Sequence, residues 1–248
     1  MARRIDLNAD LGEGCGQDAA LIEVLTSANI CCGLHAGSAA EMARTMRLAR
    51  DAGLGIGAHP GFDDRANFGR TRCQLSADDL RDLIRYQVGA AKAVAAGFGV
   101  TLDHLKLHGA LANMAAEDAE MAQICYRAAL EVEPQMRLMA IAATAQQEAA
   151  LAIGARWIGE VFADRAYRDD ARLVDRAEAG AVLHDAAQAA ERLVTMISEG
   201  AIVARSGKRI PARIASICLH GDTPEALEMA REIRSRLTAA GISLMKPN

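Results

Sequence analysis

The chain has 248 residues, 51% of them apolar and 24% charged, with a formal net charge of −4. This composition supports one large domain with an ample core, and the acidic balance argues against binding a nucleic-acid backbone, which calls for a basic patch. No apolar stretch reaches the roughly 18–20 residues of a bilayer span, and Met1-Ala2-Arg3-Arg4 leads straight into a strand bearing Asp6 and Asp10, so no signal peptide is expected there.

Strands and helices alternate along the chain. Residues 4–10 predict a strand, 18–25 a short helix opening near Asp18, and 26–32 a second strand. Residues 38–52 read as a helix with Ser38 as N-cap, Glu41 three residues on and Gly53 at the far end. Residues 54–58 give the third strand, followed by the turn His59-Pro60-Gly61. Ser76-Ala77-Asp78-Asp79 opens a long helix to about Ala96, with Leu80, Leu83, Ile84, Gln87 and Val88 at helical spacing. Strands follow at 102–107, 137–142 and 157–162, with helices over 117–131 and 144–153 between them. Residues 165–183 are charged and irregular, as in a loop or lid, and 185–199 form a helix ending at Gly200. Residues 201–212, centred on Ser206-Gly207, predict a hairpin. The seventh barrel-type strand is 214–219, and the last helix is 223–240, with Thr223 as N-cap and Pro224 in its first position.

Seven strands alternating with helices predict a parallel sheet covered by helices. No fixed-period repeat, linker or composition break divides the chain, so residues 1–248 read as one domain with an excursion around 165–212. Polar clusters close nearly every strand: Asp10 to Glu13, His35, His59, His108, Asp164-Arg165 and His220-Gly221-Asp222. An open doubly wound sheet gathers its polar residues at one switch point. A (βα) barrel of the TIM type spreads them over the C-terminal ends of many strands. A seven-stranded parallel TIM-like barrel enzyme is therefore the expectation.

The strand faces carry the candidate chemistry. Asp6, Asn8 and Asp10 alternate, so they share one face of the first strand, and Leu7, Ala9 and Leu11 share the other. This suits a barrel wall with a wet, functional interior. Glu13 either serves the site or caps amides of the Gly12-Glu13-Gly14 turn. His104, Lys106 and His108 alternate in the same way and need carboxylates, a ligand or a metal as partners. Asp10, Asp164 and Asp222 are the candidate partners, and a buried ion-pair network without chemistry is the alternative. Lys106 can hold a carboxylate or phosphate as a point charge, and His108 can act as acid, base or ligand. Asp10, His35 and His59 form a candidate set for a divalent metal, two histidines with a carboxylate. Glu160, Phe162 and Asp164 alternate on the sixth strand. Arg165 follows and can fork onto an anion or form a surface salt bridge. Asp222 either orients His220 or simply precedes the helix cap.

Six cysteines form no Cys-x-x-Cys pair, which argues against a zinc knuckle and for a reducing cytoplasm. Cys31, Cys125 and Cys218 sit in apolar contexts and read as small buried hydrophobes. Ser206-Gly207-Lys208-Arg209 is no P-loop, because Ile202 stands where the first glycine belongs. There is no three-glycine dinucleotide fingerprint and no Gly-x-Ser-x-Gly elbow.

The segments IDLNADLGEG (5–14), SANICCGLHAG (27–37), IGAHPGF (56–62), FGR (68–70), HLKLHGAL (104–111), EVFADRAY (160–167) and ICLHGDT (217–223) strongly resemble the LamB/YcsF family, in order and across essentially the whole chain. The resemblance implies a seven-stranded barrel of the glycoside hydrolase/deacetylase type. It implies ATP-dependent opening of the 5-oxo-L-proline lactam to L-glutamate, performed together with partner subunits B and C of a 5-oxoprolinase, with ATP held by this chain or by a partner. On these residues Asp10, His59 and His108 are expected to move protons or hold metal, with Asp164 and His220 beside them. Lys106 and Arg165 are expected to hold a substrate carboxylate or phosphate, with Asn8, Glu13 and Asp222 as further substrate contacts. Cys15, Leu34, Ser38-Ala39, Leu107, Ala112 and Ala171 depart from the residues usual in the family, and a Gly- and Ser-containing turn is usual around 141–144. Those departures keep two other readings open: a stand-alone metal-dependent amidohydrolase or deacetylase, and a non-catalytic ligand-binding subunit.

Overall fold

The structure, a computed structural model, describes residues 3–220 and 225–247. Its strands and helices run β1 (Arg4–Leu11), α1 (Asp18–Ile22), β2 (Ser27–Cys31), α2 (Ala39–Asp51), β3 (Gly55–His59), α3 (Ala77–Ala96), β4 (His104–Lys106), α4 (Gly109–Glu117), α5 (Ala119–Val132), β5 (Arg137–Ile141), α6 (Ala145–Ala152) and β6 (Trp157–Phe162). They continue with α7 (Ala186–Glu199), β7 (Ala201–Val203), β8 (Arg209–Pro211), β9 (Ser216–His220), α8 (Ala226–Ala239) and β10 (Ser243–Leu244). Strands β1 to β6 pair in sequence order, β6 pairs with β9, and β9 returns to β1. Every one of these pairings is parallel, so the sheet is a closed seven-stranded barrel with helices in the connections. Closure leaves no free edge. β7 and β8 form the expected antiparallel hairpin outside the barrel.

The strands read as they do because both faces are covered. β2 and β3 are buried at every residue, as parallel strands between a barrel interior and a helix layer should be. Helix starts follow local capping: Ser38 accepts from the Glu41 N–H, Ser76 from Asp79 and Thr144 from Gln146. Among the described residues no helix is long and apolar enough to cross a membrane.

Several elements differ from the sequence reading. The single helix expected at 117–131 is two, because Asp118 adopts an extended conformation and caps the second one through Glu120 and Met121. α4 begins at Gly109 and is buried at six of its nine residues, so it lacks the one-sided apolar stripe that would have announced it. β10 has two residues, too few for a pattern, and extends the N-terminal end of β1. β4 is three residues long rather than six, with Leu102, Asp103 and Leu107 outside it, and beyond it the His108 N–H bonds the Pro60 carbonyl. Thr223 and Pro224, the expected start of the last helix, lie outside the described residues. Ala143 and Ala171 hold φ of 59° and 66°. The family pattern leads us to expect glycine at 171 and a Gly- and Ser-containing turn around 141–144, and glycine takes this conformation without strain.

Candidate active site at the C-terminal mouth of the barrel

The inner face of β1 is polar, as expected, and its side chains are buried. Asp6, Asn8 and Asp10 are 1%, 0% and 7% exposed. A seven-stranded barrel is narrow, so inward side chains meet one another instead of solvent. Near the bottom, Asp6 accepts from Thr26 at 2.6 Å, from Ser27 at 2.7 Å and from Ser216. Above it, Asn8 donates to Glu160 Oε1 at 3.0 Å and to Ser216 at 2.7 Å. Asn29 donates to Asn8 Oδ1 at 2.7 Å and to Asp10 Oδ1 at 2.8 Å, and its own carbonyl meets His104 Nε2 at 2.7 Å. Gly57 makes room for that imidazole: a Cβ there would collide with the His104 ring.

Lys106 sits at the centre of this network. Its Nζ lies 2.8 Å from Asp10 Oδ1, 3.1 Å from Glu160 Oε1 and 2.7 Å from Cys218 Sγ. An ammonium has three N–H groups, and these partners account for all of them. Burial alone would push the lysine down and both carboxylates up. The Asp10, Cys218 and Glu160 contacts instead hold Lys106 well above its ordinary value. His59 and Lys106 hold Asp10 well below its ordinary value. Glu160 stays raised, because burial outweighs its share of the ammonium. Lys106 thus compensates Asp10 together with His59, and Glu160 only in part.

Beside Asp10 the histidines gather. Left-handed Gly12 and Gly14, with φ of 74° and 83°, turn the chain after β1 so that Glu13 folds back over the mouth. Glu13 Oε1 lies 3.0 Å from His35 Nε2, 3.3 Å from His108 Nδ1 and 3.8 Å from His59 Nε2. His35 and His108 stack with centroids 3.7 Å apart, and His59 meets both edge-on. Burial, reinforced by the neighbouring histidines, pushes His35 down to about 3 and His108 well below the usual imidazole range.

The third group is a dyad. His220, at the end of β9, places Nδ1 2.7 Å from Asp164 Oδ2 and stacks on Phe162 at 5.4 Å. Burial would raise the Asp164 carboxyl, but the His220 imidazole, then Arg176 and Arg165, bring it below its ordinary value. The loop after β6 closes over this region. Arg165 Nη2 donates to the Val174 carbonyl at 2.6 Å, and short antiparallel bridges join Arg165 to Val182 and Tyr167 to Leu173. The result is a cavity of about 360 Å³, at the small end of the range for ligand pockets. Asp10, Lys106, His108 and His220 line its inner part, and Arg70, Arg72, Arg165, Arg168, Arg172 and Arg176 also line it. Arg72 is paired with Glu117, Arg172 with Asp170 and Arg168 with Glu178. The buried Nε of Arg165 has no hydrogen-bond partner among the described residues.

The structure brings together Asn8, Asp10, Glu13, His35, His59, Lys106, His108, Asp164, Arg165 and His220, and it revises several of their expected contacts. The four-group cluster is Glu13, His35, His59 and His108, with Glu13 in the place given to Asp10. Asp10 is still 3.3 Å from His59, but its other oxygen is taken by Lys106 and Asn29. Lys106, expected to clamp substrate, has its N–H groups occupied by protein. His104 meets an amide, with no carboxylate among its side-chain bonds to the described residues. The carboxylate on His220 is Asp164, whereas Asp222 lies outside the described residues. Cys218 and Cys31 are buried, but not among apolar groups alone: Cys218 contacts Lys106, and Cys31 Sγ lies 3.3 Å from His35 Nε2. Asn29 joins the site without having been expected there, and Glu160, singled out only for its alternation with Asp164, takes a place beside Lys106. The alternation of Ser27, Asn29 and Cys31 is the available signal for Asn29.

A family model described as the LamB/YcsF family matches residues 5–248. A relative from Ruegeria pomeroyi, described as the A subunit of 5-oxoprolinase, is 50% identical over 246 residues, covering 97% of each chain. The crystal structure of a lactam utilization protein from Thermus thermophilus is 35% identical and superposes with a TM-score of 0.91, covering 98% of this chain and 100% of that one. A T48 deacetylase, 14% identical with a TM-score of 0.55, shares the barrel alone.

Proposed function

Since the chain belongs to the LamB/YcsF family, we propose that it is the A subunit of an ATP-dependent 5-oxoprolinase, opening the lactam of 5-oxo-L-proline to L-glutamate with partner subunits B and C. The observation that carries the reading is the cavity. A small anionic ligand would have Asp164-held His220 and Lys106-held Asp10 on its inner side and a wall rich in arginines around it.

The chemistry assigns the roles. A five-membered lactam is a poor electrophile, and its hydrolysis at neutral pH is uphill, so ATP supplies the drive in the assembled complex. Arg165, whose buried Nε has no partner among the described residues, takes the substrate's carboxylate or a phosphate. His220 is the general acid–base. Its Nδ1 is held by Asp164, which leaves Nε2 to take a proton from water and to hand one to the departing lactam nitrogen. Lys106 acts on substrate through its field, stabilising negative charge that develops above Asp10, while its N–H groups keep Asp10 ionised and fixed.

Glutamate release from 5-oxoproline tests this, with the chain alone and with subunits B and C, each with and without ATP and Mg²⁺. Release is expected only in the complete ATP-containing mixture, and His220→Gln should lower its kcat by about 10²–10⁴-fold. Release by the chain alone without ATP would replace this reading with a stand-alone amidohydrolase. An assembled complex left fully active by His220→Gln and Asp164→Asn would make this chain a non-catalytic component.

A further inference from the structure

We propose that Glu13, His35, His59 and His108 form a binding site for a divalent cation of the zinc type. The argument starts from hydrogen bonds outside the cluster. His59 Nδ1 is 2.8 Å from the Lys106 carbonyl, and His108 Nε2 is 2.8 Å from the Phe68 carbonyl. A carbonyl only accepts, so each of these nitrogens carries its ring's proton. In the neutral rings that bind a metal, the remaining nitrogens, His59 Nε2 and His108 Nδ1, are both lone-pair bearers, and they face each other at 3.0 Å. The other near neighbours of His59 Nε2 are also acceptors: Asp10 Oδ2 at 3.3 Å and Glu13 Oε1 at 3.8 Å. Lone pairs converging in a buried pocket repel unless a proton or a metal ion lies among them, and a metal ion can meet all of them at once. Carbonyls holding the far nitrogens of two imidazoles are also the usual outer support of metal-bound histidines.

The spacing fits. Ligand atoms bound tetrahedrally at zinc distances lie roughly 3.3–3.4 Å from one another. Four separations within the cluster are 3.0, 3.0, 3.3 and 3.8 Å, and all four ligand atoms lie within 4.8 Å of one another. Three imidazoles and a carboxylate form a borderline nitrogen-rich set, which favours zinc-type ions over magnesium or calcium. A second group, Asp10, Cys218 and His220, has comparable spacing. There the Lys106 ammonium already lies 2.8 Å from Asp10 and 2.7 Å from Cys218, so the place of a cation is filled. His108 also lines the cavity, so an ion held by Glu13 and the three histidines would supply Lewis-acid activation of water next to the substrate.

Metal content is read without substrate, ATP or partners, so its outcome is separate from that of the proposed reaction. The full chain is stripped with a chelator, reloaded with Zn²⁺ alone and measured by mass spectrometry. About one zinc per chain is expected in the wild type, and well under half of that in Glu13→Gln and His108→Ala. Co²⁺ in place of Zn²⁺ should give the visible bands of nitrogen- and oxygen-bound cobalt, with no sulfur-to-cobalt charge-transfer band. Circular dichroism checks that the variants are folded. If His108→Ala is not, the wild-type cobalt spectrum and Glu13→Gln decide. No uptake of either ion by the wild type overturns the proposal. So does uptake unchanged in the folded variants, or a sulfur charge-transfer band, which would place the ion on Cys218 or Cys31.

Discussion

Lys106→Met is the substitution for which the structure predicts most. The ammonium stands 2.8 Å from Asp10 and 3.1 Å from Glu160, and all three side chains are at most 7% exposed. At an effective dielectric near 20 these contacts are worth roughly 6 and 5 kcal/mol before solvation is counted. Desolvation of the ammonium offsets much of that, and breaking a buried pair from one side costs about 3–5 kcal/mol net. In a chain of this size the loss corresponds to a melting temperature lower by about 6–20 °C. The partner variant fixes the cause. Glu160→Gln alone should cost about 1 kcal/mol as a lost hydrogen bond. Made on top of Lys106→Met, it should instead recover about 1–2 kcal/mol, because it removes an uncompensated buried charge. The loss in Lys106→Met should also shrink as pH falls from 7 towards 5. Without the ammonium the carboxylates titrate above their unfolded values, so the folded state takes up protons first and gains stability on acidification. Urea unfolding of the four proteins at both pH values measures all of this. A Lys106→Met loss under about 1 kcal/mol, or losses in the cycle that add to within about 0.5 kcal/mol, would refute the claim that one ammonium balances two carboxylates.

Two further perturbations probe other parts of the mouth. Asp164 has its folded value depressed by His220, Arg176 and Arg165, so it stabilises the fold above its unfolded value near 4 and loses that contribution as pH falls through the lower folded value. Asp164→Asn should therefore cost about 1–2 kcal/mol at pH 7 and at pH 5, with the gap closing only below about pH 4. A gap that already closes between pH 7 and pH 5 would mean His220, not Asp164, sets the dependence. Gly57→Ala should cost about 1–3 kcal/mol through overpacking against the His104 ring, and His104→Ala in the same chain should relieve that clash. Urea midpoints of the pair that simply add would show that the ring is not what the methyl meets.

Most of the fold is legible in the sequence because strand burial and helix capping are local. Ser38 with Glu41, Ser76 with Asp79 and the largely apolar β5 need no tertiary information. α4 escapes such a reading because a helix buried on most sides loses the periodicity that marks a helix. The inner face of β1 is legible from period two, but how deeply it is buried depends on the width of the barrel, which no strand records. In the site, alternation identifies which side chains point inward, not which of them meet. His220 and Asp164 are 56 positions apart, and only the pairing of β6 with β9 puts them together. Glu13 is ambiguous between a turn and the site because the turn itself, through left-handed Gly12 and Gly14, delivers it to the histidines.

Asp10 links the two halves of the mouth, and this shapes how the site works. Its Oδ1 receives Lys106 and Asn29, while Oδ2 faces His59 at 3.3 Å. On the Lys106 side the hydrogen-bonding groups of the lysine and of Asn29 are taken by protein, so these side chains are held rigid and act through charge. On the histidine side His59 Nε2 and His108 Nδ1 face each other at 3.0 Å, which leaves them for a metal ion or a proton, and under the proposed function His220 keeps Nε2 for substrate. Fixed charge below and uncommitted nitrogen above is the division that electrostatic preorganisation requires: under the proposed function the field is set before substrate enters, and only the upper groups change partners. Loss of Lys106 should consequently reach the histidines through Asp10, and lower turnover even where the variant remains folded.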